Sequence, residues 1–343
     1  MMVEYSSRYF QNSTLLTNGL SVSRSHPHLS HFELTIVHIV LDIWICLSNG
    51  SQLVNILLTP ALRCRPRNIL VVNICFIELV IGLFVCPLYT DSLLVTNWRH
   101  IVPLCISFEA VFYAQTCVST LAVLVLLVDR FYYLLSPRTL GLTWRWAVTT
   151  LLVILPWFIG LSLVCPLVVY GSTAGLNKDT RSCQVIWRTK YQTTTVFISF
   201  FLPAFLILTL ATISVIAYVI LSILDKRQPS VVSTDCHQEK RDSVCVILLA
   251  SLASVTLQFP YFILALIDIF CEDGGRRSCD TSESVWSQVM LVNIIKSGVL
   301  PLVWLAYSDI RRGFMCHYRR SRPFSSVPSS EEEIVYRSKS TIL

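Results

Sequence analysis

Seven long apolar segments dominate the chain, and short polar connections separate them. Each segment exceeds the roughly 20 residues that a helix needs to cross ~30 Å of hydrocarbon. Apolar residues run together in these segments rather than alternating with polar ones, which indicates helices and not the strands of a closed barrel. The sequence therefore predicts an all-α membrane protein, a bundle of seven transmembrane helices over residues 32–62, 68–90, 102–135, 144–170, 191–224, 242–270 and 285–307.

The composition agrees with a chain that has the bilayer as its solvent. Apolar residues make up 54% of the 343 residues and charged residues only 14%, with a mean hydropathy of +0.62. Soluble domains carry roughly 25% charged residues, so a soluble catalytic domain is not expected. The net charge of +6 comes from short basic clusters between apolar segments, which does not indicate a nucleic-acid partner.

Basic residues are unevenly divided between the two ends of the segments. Of the 27 Lys and Arg residues, seventeen fall in the connections at one end, nine fall at the other end, and Lys296 lies within the seventh segment. Because cytoplasmic connections retain the excess of positive charge, a plasma-membrane protein with its N-terminus outside and its C-terminus inside is expected. The resulting organisation is an extracellular tail (1–31), the bundle (32–307), an amphipathic juxtamembrane helix (308–318) and a disordered cytoplasmic tail (319–343).

Cysteines and a glycosylation sequon support the expected outer side. Cys105, Cys183, Cys271 and Cys279 are the four cysteines that would face outward, and four cysteines allow three pairings. The most economical pairing joins Cys105 to Cys183 and Cys271 to Cys279, and the alternative leaves the last two as free thiols. Asn12 begins an Asn-Ser-Thr sequon on the outer tail, so it is the expected glycosylation site.

The motifs of common enzymes do not occur in the chain. There is no Gly-rich phosphate loop, no HExxH pair and no nucleophile motif in the sequence. No catalytic residue, metal or other cofactor is therefore expected.

Several residues have the spacing of one receptor family. Asp129-Arg130-Phe131 ends the third segment, Cys105 lies 25 residues before Arg130, and Trp157 lies 27 residues after it. With seven segments, these residues resemble the rhodopsin-like (class A) G-protein-coupled receptors over residues 32–318. Further matching positions are Asn49, Pro137, Pro166, Pro203, Pro260 and Pro301.

The resemblance implies roles for residues at the inner side. Arg130, next to Asp129, would be held at rest and would contact a heterotrimeric G protein when the bundle opens. Pro260 and Pro301 each remove a backbone hydrogen bond and would act as hinges. Cys316 is either a palmitoylation site or a plain thiol. The serines beside the acidic residues of the tail either become phosphorylated for an arrestin-like partner or serve only solubility.

The chain departs from the family pattern at seven positions. Two of them are charges within apolar segments: Glu78 stands for an aspartate, and Lys296 stands for an asparagine five residues before Pro301. Loss of the family's acidic residue in the sixth segment favours basal activity, whereas loss of its two tyrosines opposes basal activity. Which of the two effects is larger stays open. The other five substitutions are Leu300 for the asparagine directly before Pro301, Gln258 for tryptophan, Ala211 and Trp304 for tyrosines, and Lys240 for the acidic residue.

Glu78 and Lys296 each fall near the middle of an apolar segment. One charge at the bilayer centre costs about 2.5–3.5 kcal/mol on insertion scales, so two unpaired charges would be hard to tolerate. In related receptors the acidic residue, with a serine equivalent to Ser119, binds a sodium ion. We therefore hypothesise a Glu78–Lys296 ion pair that replaces the ion. The alternative is that Lys296 faces the ligand cavity as a counter-charge for an acidic ligand.

Two other classes of membrane protein are alternatives to a receptor. An ion- or proton-coupled transporter would use Glu78 and Lys296 as a relay, but it is expected to show inverted internal repeats, and the sequence shows none. A membrane-embedded hydrolase needs paired His, Asp and Glu clusters, whereas the segments offer scattered acids and His38. A receptor that transduces an extracellular ligand signal to heterotrimeric G proteins is favoured.

Some of the residues expected to face a ligand form one stripe along the third segment. Glu109, Phe112, Thr116 and Ser119 recur at intervals of three, four and three residues, which places them on one helix face. Phe112 occupies the position where amine receptors carry an aspartate, so a monoamine ligand is not expected. A lipid-like, a small neutral and a peptide ligand all stay open. The opposite wall is expected to consist of Gln258, Tyr261, Phe262 and Asn293.

Overall fold

The computed structural model describes residues 31–94, 101–135, 142–176, 183–187, 189–227, 234–273 and 283–320. Within these residues, seven helices are long and apolar enough to cross a membrane. The all-α fold class predicted from the sequence is therefore confirmed. The helices, called spans 1 to 7 below, are His31–Leu58, Pro66–Leu94, Val102–Leu135, Leu142–Gly171, 189–227, Thr234–Asp273 and Glu283–Trp304.

The ends of the spans differ from the predicted segments where prolines or polar residues intervene. Span 1 ends at Leu58 because Thr59 is extended (φ −93°, ψ 104°) before Pro60, which starts the short helix Pro60–Arg63. Span 6 begins at Thr234 rather than at 242, so it extends into the predicted third inner connection. A C-terminal helix, Ser308–Arg320, follows span 7 and covers the predicted juxtamembrane helix.

Two spans widen into a short π-helix just before a proline. The π segments are Ile81–Val85 in span 2 and Phe197–Phe201 in span 5, and each ends two residues before a proline, Pro87 or Pro203. A proline cannot donate a backbone hydrogen bond, and its ring crowds the carbonyl of the preceding turn. The wider turn relieves this crowding and rotates the residues on either side, including Glu78 three residues before the first π segment.

A β-hairpin lies in the connection between spans 4 and 5, where the sequence predicted only a loop. β1, Ser172–Leu176, pairs antiparallel with β2, Cys183–Trp187, with Ser172 opposite Trp187. The hairpin marks one end of the bundle, called the hairpin end below. The opposite end, from which the C-terminal helix extends, is called the C-terminal end.

Span 3 lies at the centre of the bundle. In its most apolar window 78% of the residues are buried, against 22% for span 4, whose apolar residues mostly face outward. Gly160 allows span 4 to approach span 3 closely, since a Cβ atom at this position would overlap with Cγ2 of Val118. The other apolar side chains that face outward from the bundle would lie against the hydrocarbon of the bilayer.

Side-chain amides attach span 1 to span 7 and to the helix that follows it. Pro301 lacks an amide hydrogen, so the carbonyl of Ser297 has no helical donor; Asn49 Nδ2 donates to it at 2.9 Å. The missing bond of the span 7 kink is thus replaced from span 1. Two further amides of span 1 donate to backbone carbonyls: Gln52 to Pro301 at 3.2 Å and Asn55 to Ile310 at 3.2 Å.

Candidate functional site

An ion pair between spans 2 and 7 forms the most buried polar centre of the described bundle. Lys296 Nζ lies 2.9 Å from Glu78 Oε1, and the two side chains are 2% and 0% exposed. The ammonium also donates to Ser119 Oγ of span 3 at 2.7 Å. With its amide oxygen toward the ammonium, Gln258 of span 6 accepts a third hydrogen bond at 3.2 Å. All three ammonium protons therefore have an acceptor.

The Glu78 carboxylate is satisfied from both oxygens. Ser119 donates to Oε1, Ser297 of span 7 donates to Oε2 at 2.6 Å, and Gln115 Nε2 of span 3 donates to Oε2 at 3.3 Å. A buried ion pair is tolerated only when its remaining donors and acceptors are paired in this way. The network joins spans 2, 3, 6 and 7 at mid-depth, so any relative movement of these spans must rearrange it.

The residues around Glu78 do not suit a sodium ion. In the family that the sequence resembles, the acidic residue and the serine are the ligands of that ion. Here both groups already face the Lys296 ammonium, which contacts Glu78 Oε1 and Ser119 Oγ. A second cation at the same oxygens would lie against the ammonium and be repelled by it.

An aromatic cluster fills the bundle between this network and the hairpin end. Its rings touch edge to face or stack: Phe112 and Tyr261 have centroids 5.2 Å apart, and Phe200 and Phe262 stack at 4.5 Å. Tyr261 also contacts Trp286 of span 7 at 5.7 Å. The members of the aromatic cluster are Phe112, Tyr113, Phe200, Phe201, Tyr261, Phe262 and Trp286.

The residues expected to bind a ligand separate into two depths. Thr116, Gln258 and Asn293 are 1%, 1% and 5% exposed, and Gln258 contacts Lys296. Phe112 and Phe262 are buried members of the aromatic cluster. Glu109 and Tyr261 keep partial exposure. The structure thus brings the last two to the accessible side of the rings, and the deeper residues lie within the packed core.

At the C-terminal end, Arg130 and Asp129 adjoin a cleft between three spans. Arg130 Nη2 lies 2.8 Å from Asp129 Oδ2, so the two neighbours form an ion pair within span 3. The cleft is lined by Leu127, Arg130, Phe131, Ser214, Val244 and Ile247, from spans 3, 5 and 6. Pro260 and Pro301 lie inside spans 6 and 7, where they interrupt the helical hydrogen bonds.

Several predicted sites lie at the limits of the described residues. Cys105 is disulfide-bonded, and the backbone of Cys183 lies in β2, but the side chain of Cys183 is not among those described. The pairing therefore stays a prediction. Cys271 and Cys316 lie in span 6 and in the C-terminal helix, with side chains that are likewise not described. Asn12 and Cys279 fall outside the described residues, and so do residues 321–343 of the predicted tail 319–343, whose first two residues instead end the C-terminal helix.

A second polar cluster at the C-terminal end was not predicted from the sequence. Asp309 Oδ2 lies 2.5 Å from Arg67 Nη2 and 3.0 Å from Arg65 Nη1, and Asn68 Nδ2 donates to it at 3.4 Å. The Arg67 guanidinium also lies 4.2 Å above the ring of Tyr307. The C-terminal helix is thereby attached to the start of span 2. The sequence did contain a signal for this cluster: Asp309 lies in the first turn of an amphipathic helix, and the connection between spans 1 and 2 is rich in arginine.

Comparison with known proteins agrees with this architecture. The family model described as 7 transmembrane receptor (rhodopsin family) matches residues 48–304. The somatostatin receptor type 1 sequences of Rattus norvegicus, Mus musculus and Canis lupus familiaris are each 22% identical over 292 residues, covering 84% of this chain and 71% of theirs. Since the family model covers most of the chain and the seven spans are in place, this protein belongs to the rhodopsin family of seven-transmembrane receptors.

Proposed function

We propose that this multi-pass plasma-membrane receptor transduces an extracellular ligand signal to heterotrimeric G proteins. The observation that carries the proposal is the position of Arg130, at the wall of a cleft between spans 3, 5 and 6 at the C-terminal end. A cleft between helices that carry prolines can widen when the helices move, and a guanidinium on its wall then becomes available to a partner's carbonyl or carboxylate groups. An arrestin that binds the tail after phosphorylation is part of the same proposal.

The orientation in this proposal places the hairpin end outside the cell. Its support is the excess of basic residues in connections at the C-terminal end, seventeen against nine. The disulfide at Cys105 belongs to the hairpin end, which suits an oxidising compartment. The tail 1–31 with the sequon at Asn12 is then extracellular, and the tail 319–343 is cytoplasmic.

The Glu78–Lys296 pair is proposed to replace the sodium ion of related receptors. Three acceptors surround the ammonium and four donors surround the carboxylate, so the pair is complete without another ion. Full pairing also argues against the relay of a transporter, because a relay group must release and accept its ion in turn. The pair instead acts as a fixed link between spans 2 and 7 that must rearrange when the bundle opens.

The ligand named by the similar receptors is one candidate for testing. Those proteins are called somatostatin receptors, and at 22% identity the ligand does not follow from the likeness. Somatostatin therefore serves as one probe among others, and the G-protein class is to be measured rather than inferred.

Arg130→Ala is expected to abolish G-protein activation while surface expression stays within about twofold of wild type. The side chain lies at the cleft wall, so its removal takes away the group offered to the G protein and leaves the packed core unchanged. The measurement is dissociation of a panel of Gα–Gβγ sensors in cells, both basal and with somatostatin or a peptide library.

Arg312→Ala is the matched control, because Arg312 is an exposed arginine of the C-terminal helix at the same end of the bundle. The control should signal as wild type does. Equal signalling by wild type and Arg130→Ala, or no activation of any Gα subunit by the wild type across the panel, would contradict the proposed function.

A further inference from the structure

One carboxylate on the accessible side of the aromatic cluster has no partner within the part of the chain that the structure describes. Glu109 of span 3 makes no hydrogen bond or ion pair with any group in the described part of the chain, and its side chain is only partly exposed. Glu109 lies three and four residues before Phe112 and Tyr113 in span 3, so its side chain shares a helix face with these two rings. A partly desolvated carboxylate without a counter-charge is unfavourable, which leaves this position suited to a cation from elsewhere.

The surrounding rings provide the second half of a cation site. Four rings follow one another in contact, with centroid distances from 5.2 to 5.7 Å, in the order Tyr113, Phe112, Tyr261 and Trp286. The faces of such rings attract ammonium and guanidinium groups, most strongly when water is excluded. A carboxylate next to several rings therefore selects a positive charge that is attached to an apolar stem.

The depth of the site follows from what lies beneath it. Phe112 and Phe262 are 2% and 0% exposed, and below them Thr116 and Gln258 are each 1% exposed. A ligand that enters from the hairpin end therefore meets Glu109 and Tyr261 before any deeper polar group. The position that holds a carboxylate in amine receptors is Phe112 here, three residues further into span 3.

We propose that Glu109 and the rings of Tyr113, Tyr261 and Trp286 form the ligand site, and that the ligand presents an ammonium or guanidinium group on an apolar stem. This inference rests on the proposed receptor function and names its ligand class. The cation is received about one helical turn nearer the hairpin end than in amine receptors. Its stem packs on Tyr261, and the aromatic cluster forms the floor of the site.

The test uses four probes with one ring and different head groups: benzylamine, benzylguanidine, benzyl alcohol and phenylacetate. The purified full-length receptor is unfolded by heating, and exposure of its thiols to a reactive dye reports the midpoint Tm. Cys75, Cys86 and Cys117 are buried free cysteines suited to this readout. At millimolar concentration, the two cationic probes are expected to raise Tm, and the neutral and anionic probes are not. A larger shift with benzylguanidine than with benzylamine would identify the preferred head group.

Glu109→Gln keeps the shape of the side chain and removes its charge, so it is expected to weaken binding of the cationic probes about tenfold or more. Since the lost carboxylate has no hydrogen-bond or ion-pair partner among the described residues, Tm without a probe should stay equal or rise by about 2 °C. Asp91→Asn, at the end of span 2 outside the aromatic cluster, is the matched control and should keep the wild-type response.

Three results would overturn the inference: no shift with either cationic probe, equal shifts with benzyl alcohol, or an unchanged response in Glu109→Gln. Because this assay contains no G protein, its outcome is independent of coupling. Cationic probes that bind to a receptor without G-protein activation would leave the inference intact and refute the proposed function. Activation by an agonist that lacks a cationic group would support the proposed function and refute the inference about the ligand.

Discussion

Lys296→Ala is expected to destabilise the receptor by about 3–5 kcal/mol when sodium is absent, the usual result of removing one partner from a buried ion pair. The Glu78 carboxylate, 0% exposed, would keep its serine and glutamine donors but lose the only positive charge within contact distance among the described residues. Surface expression should fall, and Tm of the purified receptor in choline chloride should fall with it.

A double-mutant cycle separates pairing from simple loss of packing. Glu78→Gln alone leaves the Lys296 ammonium buried with neutral acceptors, so it should also destabilise. The double variant with Glu78→Gln and Lys296→Met buries no charge. Its loss of stability is expected to be clearly smaller than the sum of the losses measured for the two single variants, Glu78→Gln and Lys296→Met. Additive losses would show that the two charges do not stabilise each other.

Asp309→Ala is expected to loosen the C-terminal helix by about 3 kcal/mol, at the low end of the range for a buried ion pair because Asp309 keeps some contact with water. Arg67, 8% exposed at its side chain, would keep Asn68 and Tyr307 as its neighbours among the described residues. Amide hydrogen exchange over residues 308–320 should accelerate on the order of a hundredfold. Arg311→Ala, on the exposed side of the same helix, is the control and should leave exchange unchanged.

The same cluster sets the pH range of the attachment. Burial raises the pKa of Asp309, but the guanidinium groups of Arg67 and Arg65 and the hydrogen bond from Asn68 outweigh it and lower the pKa below the ordinary 3.8. A carboxyl whose pKa is lowered in the folded state stabilises that state fully when the pH is above the pKa of the unfolded chain. This contribution is lost as the pH falls through the pKa of the folded state. Exchange protection of the helix should therefore hold from about pH 8 to pH 5. Loss of protection near neutral pH would contradict this assignment.

Much of the bundle follows from the sequence because hydrocarbon leaves few alternatives. Long apolar segments must form helices to satisfy their backbone, and two charges within them must find partners. On this ground Glu78 and Lys296 were expected to meet, and the structure places them in contact. Their additional partners Ser297 and Gln115 could not be foreseen, because helix rotation decides which polar side chains face the pair.

Other features depended on distant contacts or on backbone details that the sequence pattern does not show. The hairpin is short and includes Gly175, so it lacks the alternation that marks a strand. Asp309 and Arg67 are more than two hundred residues apart and each resembles an ordinary solvated charge. Thr116 and Asn293 have suitable positions for a ligand wall, but packing of the aromatic rings buries them.

Sodium dependence of thermal stability tests the replacement of the ion by Lys296 most directly. Tm is measured while sodium chloride replaces choline chloride at constant ionic strength, for the wild type and for Lys296→Asn, which introduces the residue that related receptors carry there. The wild type should show the same Tm in both salts, and Lys296→Asn should gain a saturable rise in sodium. A saturable, sodium-specific rise in the wild type would contradict the account.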